Sequence, residues 1–242
     1  MLRPCASSAK QGLDQPVHND MTINDVIRRI GEIGIIPVVR AATVDEATLA
    51  VQAICAGGIP VVEITMTVPD AVAVIREVAQ QYGGSVLIGA GTVTTAAQAE
   101  LSIRAGAQFL VSPGLAPTVL SIAQECGILA MPGALTPTEL MSAVENGARL
   151  VKIFPCGNVG GPKYLRSLKG PFPKAALVPT GGVNATNAAD YIAAGAFALG
   201  VGGDLIDATA LRDRNLERIT SASRELVKAV ASARQTLLEK AG

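Results

Sequence analysis

The sequence predicts an α/β protein, a (β/α)8 TIM barrel with an extra N-terminal helix. Three observations carry that expectation. A unit of helix, glycine and apolar run recurs every 20 to 26 residues. The apolar runs are rich in β-branched residues with little polar alternation, as strands covered on both faces are. Eight such units fit into roughly 220 residues, the compact end of the barrel range. The competing architecture is a doubly wound open sheet, which usually carries a Gly-rich dinucleotide turn after its first strand. Here that strand ends in Val38-Val39-Arg40-Ala41-Ala42, with no such turn.

The units follow in order. A helix near 23–34 precedes the first strand, 35–40. Gly57-Gly58 stop a helix before the second strand, 59–66, and Gly83-Gly84 do so before the third, 86–90. Gly106 precedes the fourth at 108–111, Gly127 the fifth at 128–131, and Gly147 the sixth at 149–154. The seventh, 176–179, follows Gly170 and a Pro171–Pro173 turn, and Gly195 precedes the eighth, 197–201. Glycine just past a helix end supplies the left-handed stop. Thr43 with Glu46, Thr95 with Gln98 and Thr136 with Glu139 fit capping boxes, and Pro137 falls at a first helical position.

Composition narrows the function. Hydrophobic residues make up 49% of 242, so the core is extensive. Net charge is zero, with 20 basic and 20 acidic residues, which argues against nucleic acid or a membrane surface as partner. No apolar stretch reaches membrane-span length without interruption. Residues 1–20 lack a signal-peptide core and are expected to form a flexible extension, leaving 21–242 as one domain. The single histidine, His18, lies in that extension, which disfavours histidine catalysis and His-rich metal sites. The cysteines at 5, 55, 126 and 156 have neither metal-ligand spacing nor secreted-scaffold density, so a reducing cytoplasm is expected. No metal and no cofactor are expected.

Barrel chemistry sits at the C-terminal ends of strands. Lys152 stands in the apolar run Leu150-Val151-Lys152-Ile153-Phe154-Pro155. A lysine is almost never buried without a partner, and a desolvated ammonium tends to lose its proton and become a nucleophile. In the second strand, alternation puts Val61, Glu63 and Thr65 on one face and Val62, Ile64 and Met66 on the other. The second set suits the helix layer, so Glu63 points inward; if the face shared by Leu150, Lys152 and Phe154 on the sixth strand is also inward, Lys152 and Glu63 project into one cavity. Two readings stand: a proton-transfer pair, or a buried structural ion pair. Gly181-Gly182 and Gly202-Gly203 close the last two strands, where barrels often bind phosphate, although tight turns without a ligand look the same. Arg40 suits a bidentate carboxylate or phosphate contact, or a solvated loop. Thr92 offers a hydroxyl to a substrate or caps the next helix. Cys156 has no activating neighbours in sequence.

Taken together, these segments resemble the 2-keto-3-deoxy-6-phosphogluconate (KDPG) and 4-hydroxy-2-oxoglutarate (KHG) aldolase family. The resemblance is carried by Ile36-Pro37-Val38-Val39-Arg40, Val62-Glu63-Ile64-Thr65-Met66-Thr67-Val68-Pro69, Ile88-Gly89-Ala90-Gly91-Thr92-Val93 and Val111-Ser112-Pro113-Gly114. It continues through Met131-Pro132-Gly133, the Lys152 run and Val178-Pro179-Thr180-Gly181-Gly182-Val183. The ordered set spans about 22 to 235. It implies a class I aldolase of the Entner–Doudoroff type, a carbon–carbon lyase that commonly assembles as a homotrimer. It further implies Lys152 as the Schiff-base lysine and Glu63 as the proton shuttle. Thr92 and Pro113, with Phe154, would line the substrate site, and Gly181, Gly182, Gly202 and Gly203 would cradle phosphate. Many members carry arginine, which holds the substrate carboxylate, where this chain has Thr67, so the resemblance places Thr67 among the substrate-binding residues. A subset with a small polar residue there has an arginine at the end of the first strand, as Arg40 is here. Relatives often have serine near Gly203, where this chain continues to Asp204. The galactonate epimer of the substrate, unphosphorylated KHG, and a non-catalytic phosphate-sugar-binding barrel are the alternatives.

Overall fold

A computed structural model describes residues 21–82 and 84–241. The expected extension at 1–20, with His18 and Cys5, lies outside the described residues, as does Gly83.

Helix α1 (Ile23–Ile33) comes first, closed by Gly34 in the left-handed conformation (φ 69°). The alternation then runs β1 (Ile35–Val39), α2 (Val44–Ala56), β2 (Val61–Thr65), α3 (Ala71–Tyr82), β3 (Leu87–Gly91) and α4 (Ala96–Arg104). It continues with β4 (Phe109–Val111), α5 (Pro117–Glu125), β5 (Leu129–Met131), β6 (Gly133–Ala134) and α6 (Pro137–Glu145). The C-terminal part comprises β7 (Val151–Ile153), α7 (Gly161–Lys169), β8 (Leu177–Pro179), α8 (Ala188–Ala193), β9 (Leu199–Val201), α9 (Ala208–Arg212) and α10 (Leu216–Ala241).

Every strand pairing is parallel. One sheet has the order β5-β4-β3-β2-β1-β9 and a second β6-β7-β8. The sheet curls, because the last strand returns beside the first, with Ile35 opposite Leu199 and Pro37 opposite Val201. The two sheets approach each other at both ends of the smaller one. A single bridge, Thr180 to Gly200, links the β8 end to β9. At the other end Pro132 separates β5 from β6. The fifth strand was expected as one run ending at 131. Proline has no N–H to give the ladder and breaks it there, yet Pro132 O still accepts from Lys152 N at 3.0 Å.

Helices cover the outer face. Val62 and Ile64 of β2 are fully buried beneath them, as are Ala50, Val51 and Ile54 of α2. The long α10 packs on α2 and α8. Its Arg234 reaches the end of α1, donating to Glu32 O at 2.8 Å. A Cβ on Gly34 would come within 2.2 Å of that guanidinium, so this glycine serves both the left-handed turn and the close approach.

The caps differ in detail from expectation. Thr136 and Glu139 form the full reciprocal box. Thr43 and Thr95 accept from the N–H of Glu46 and Gln98 as expected. The return bonds, however, go one residue further back. Glu46 accepts from Ala42 N, and Gln98 from Thr94 N. A fourth box, Thr22 with Asp25, opens α1. Among the described residues no helix is long and apolar enough to cross a membrane.

Candidate active site

Glu63 sits in the middle of β2, with Val38 on one side and Gly89 on the other. Lys152 sits in the middle of β7, between Gly133 and Val178. These strands belong to different sheets, and the curl brings their inner faces together. Lys152 Nζ lies 3.7 Å from Glu63 Oε1, with side chains only 6% and 3% exposed. That distance is an ion-pair contact but too long for a hydrogen bond. Glu63 Oε1 is buried and accepts no hydrogen bond among the described residues. A buried acceptor left unsatisfied costs about 1–3 kcal/mol, and such atoms call for an explanation. A purely structural pair would gain by closing the gap. A pair held open leaves the carboxylate oxygen available to a reacting proton.

Glycine makes room for the carboxylate. A Cβ on Gly91, on the inner face of β3, would stand 2.0 Å from Glu63 Oε1 and 2.6 Å from Cδ and Cγ. Two residues earlier on the same face, a Cβ on Gly89 would stand 2.2 Å from the Phe109 ring, which fills the interior below. Gly133, beside Lys152, lets the backbone pass Pro113 O, where a Cβ would come within 2.2 Å. Phe154 places its ring centroid 5.4 Å from Lys152 Nζ. The amine thus has both an aromatic face and a carboxylate within reach.

The remaining expected residues ring the mouth at strand ends, none hydrogen-bonded to Lys152 or Glu63. Arg40 follows β1, exposed and without a side-chain partner among the described residues. Thr67 follows β2, exposed, with its hydroxyl 2.6 Å from that of the buried Thr65. Pro113 is exposed after β4. Thr92 adopts φ 57°, a conformation rarely taken by a β-branched residue and costing about 1–3 kcal/mol. It does not cap α4, because Thr95 does. The capping alternative for Thr92 is therefore removed, and its strain remains to be accounted for at the mouth of the site.

The two glycine pairs differ. Gly181 (φ 91°) and Gly182 (φ 73°) need glycine for their backbone conformation. Their carbonyls are taken, Gly181 O by Gly157 N and Gly182 O by Asn187 Nδ2, while their N–H groups stay unbonded among the described residues. Gly202 and Gly203 have no positive φ, and a Cβ there would meet nothing within 4 Å. Neither conformation nor packing asks for glycine at 202 and 203, which leaves room for a ligand as the reason. Asp204 is exposed.

Cys156 lies just past β7 and is fully buried. Burial pushes its thiol up to about 11, so it is inert at neutral pH. Among the described residues no cluster of His, Cys, Asp or Glu is placed to hold a metal ion. The sequence places Gly91 and Thr65 at strand ends without marking either as a site residue. An i, i+2 glycine pair on a strand facing a buried glutamate is the signal that would have found the first.

A family model described as KDPG and KHG aldolase matches residues 26–222. A relative from Dickeya dadantii (strain 3937), named 2-dehydro-3-deoxy-phosphogluconate aldolase, is 40% identical over 194 residues, covering 80% of this chain and 90% of that one. The Escherichia coli (strain K12) protein named 2-dehydro-3-deoxy-6-phosphogalactonate aldolase is 35% identical over 205 residues, covering 84% and 98%. A crystal structure of KDPG aldolase from Legionella pneumophila, with pyruvate captured at low pH as a covalent carbinolamine, superposes with a TM-score of 0.78. It is 30% identical and covers 85% of this chain and 98% of that chain. With an apolar-walled lysine and carboxylate at the centre and the match running through β1 to β9, from within α1 to within α10, the chain belongs to the KDPG and KHG aldolase family and is an aldolase.

Proposed function

We propose that this aldolase works by Schiff-base chemistry, cleaving 2-keto-3-deoxy-6-phosphogluconate to pyruvate and glyceraldehyde 3-phosphate. The observation that carries the reading is the buried pair of Lys152 and Glu63, held 3.7 Å apart with Oε1 unsatisfied. The two sheets are read as one eight-stranded barrel, interrupted at Pro132 and joined at Thr180–Gly200, with residues 21–242 as the aldolase domain. A homotrimer is the assembly the family resemblance suggests, and a reducing cytoplasm is the location the cysteine usage suggests.

The Lys152 amine passes a proton to Glu63 and adds through its nitrogen lone pair to the C2 ketone. Glu63 carries the proton that turns the carbinolamine hydroxyl into departing water, leaving an iminium. Glu63 then takes the proton of the C4 hydroxyl. The C3–C4 electron pair flows into the iminium, the aldehyde departs, and an enamine remains. Protonation at C3 and hydrolysis release pyruvate and restore the amine. Glu63 Oε1 is buried and accepts no hydrogen bond among the described residues, so proton exchange there breaks none. Thr92 and Pro113 border the pyruvate end, and Phe154 walls the amine. Arg40 takes an anionic substrate group. The free N–H groups at Gly181 and Gly182 and the open glycines 202 and 203 suit a phosphate.

A second substrate reading, the galactonate epimer or KHG, is supported by the relatives named as the phosphogalactonate aldolase and as KHG/KDPG aldolase. Measuring pyruvate release from KDPG, its galactonate epimer and KHG separates them. The highest kcat/KM on KDPG supports the first. The highest on either other substrate replaces it, and no release from any of the three leaves the non-catalytic binding barrel.

A further inference from the structure

Asn187 stands at the N-cap of α8, where an asparagine ordinarily accepts from an N–H of its own helix. Here its side chain makes no such bond. It turns back to the end of β8 instead. Oδ1 accepts from Asn184 N at 2.9 Å, and Nδ2 donates to Gly182 O at 2.8 Å. The backbone partners settle the sense of both bonds, because an N–H only donates and a carbonyl only accepts. The preceding peptide is anchored in the same way, with Gly181 O accepting from Gly157 N at 2.9 Å. In a trans peptide the N–H points away from the carbonyl. Two anchored carbonyls therefore fix the directions of two N–H groups, those of Gly182 and Val183. Neither N–H is hydrogen-bonded among the described residues. The loop lies against the reacting centre: a Cβ on Gly181 would meet the Phe154 ring at 3.6 Å, and that ring's centroid is 5.4 Å from Lys152 Nζ.

We propose that Asn187 is a positioning residue for the phosphate end of the substrate, aiming the Gly182 and Val183 N–H groups without touching the substrate itself. The proposal rests on the phosphate assigned to the Gly181–Gly182 loop and deepens that reading. Gly181 (φ 91°) and Gly182 (φ 73°) carry no side chains to hold their peptides, and glycine is the residue with the widest choice of backbone orientation. The loop needs anchors from outside to present donors in one direction. Gly157 supplies the first from the segment after β7, and there a Cβ would come within 2.7 Å of Gly181 O. Asn187 supplies the second from the start of α8. A carboxamide suits that place because it accepts from Asn184 and donates to Gly182 at once. An aspartate offers the acceptor alone. A residue kept only for α8 would cap that helix; Asn187 gives up the cap to hold the loop.

The test compares cleavage of KDPG with cleavage of the same keto acid lacking its phosphate. The readout is the ratio of the two kcat/KM values. In Asn187→Ala that ratio falls about tenfold, the worth of one hydrogen bond to a charged group. The loss on KDPG lies in KM rather than kcat, because the phosphate is remote from the bond that breaks. Inhibition by inorganic phosphate weakens in parallel. Asn187→Asp, which keeps the acceptor and loses the donor, lowers the ratio as well. It serves as the second variant where Asn187→Ala fails to fold. An unmoved ratio in either folded variant overturns the proposal, as does an equal loss on both substrates. Borohydride trapping of pyruvate, which has no phosphate, reports an intact Lys152 site; loss of the adduct in both variants makes Asn187 a residue of the fold and also overturns it. The parent keeps the two failures apart. Where the parent favours KDPG and the variants match it, only the role of Asn187 falls. Where the parent shows no preference for the phosphorylated acid and no inhibition by inorganic phosphate, the phosphate reading falls and the role of Asn187 with it.

Discussion

Substituting Gly91 by alanine tests whether the space around Glu63 is functional. The backbone at 91 has no positive φ, so alanine is sterically allowed by the chain itself. Its Cβ, however, would lie 2.0 Å from Glu63 Oε1, where ordinary contact begins at 3.4 Å. The carboxylate must retreat by about 1.4 Å, or β3 must shift by a comparable amount. Overpacking of this kind costs about 1–3 kcal/mol of stability. In a chain of this size that lowers Tm by about 2–12 °C. Misplacing a catalytic group by about 1 Å costs about a hundredfold in rate. The expected outcome is a folded Gly91→Ala protein with kcat/KM down by at least about a hundredfold. Pyruvate release coupled to lactate dehydrogenase measures the rate, and a thermal melt measures stability. A variant that stays folded and turns over at the parent rate would refute the placement of Glu63 as the proton carrier.

Two further outcomes follow from the titratable groups. Hydrogen bonds from the N–H groups of Leu135 and Thr136 hold the Glu139 carboxyl below the usual glutamate range. A depressed folded value contributes stability above the unfolded value, and that contribution is lost as pH falls through the folded one. Glu139→Ala should therefore cost about 0.3–1 kcal/mol at pH 7, at the low end because the group is exposed. The gap to the parent in urea melts should close below about pH 4. The Cys156 thiol, pushed up to about 11 by burial, should resist iodoacetamide at pH 8 in the folded protein and react once it is denatured. Labelling of native Cys156 at the rate of a free thiol contradicts that assignment.

The αβ alternation was legible because each helix stop is a glycine followed at once by an apolar run, and local chemistry settles both. The juxtaposition of Glu63 with Lys152 was legible through strand alternation, since a charged residue flanked by apolar ones reveals which face it occupies. What escaped depended on contacts between distant segments. Pro132 splits the fifth strand, although its carbonyl still serves the ladder. The return bonds of two capping boxes shift by one residue, because the turn before each helix decides which N–H lies within reach. Gly91 reads as an ordinary strand glycine until Glu63 is set against it. The opposite case is Gly202-Gly203, where the sequence pattern was visible and the structure supplies the reason for looking at it, since neither backbone nor packing needs glycine there.

The most direct measurement of the central claim is borohydride reduction of an enzyme–pyruvate mixture, followed by peptide mass spectrometry. A covalent Lys152 intermediate predicts one reduced pyruvate adduct per chain, on the peptide carrying Val151-Lys152-Ile153, absent from Lys152→Ala and unaffected by a metal chelator. An adduct on another lysine, or cleavage that a chelator abolishes with no adduct formed, would contradict it.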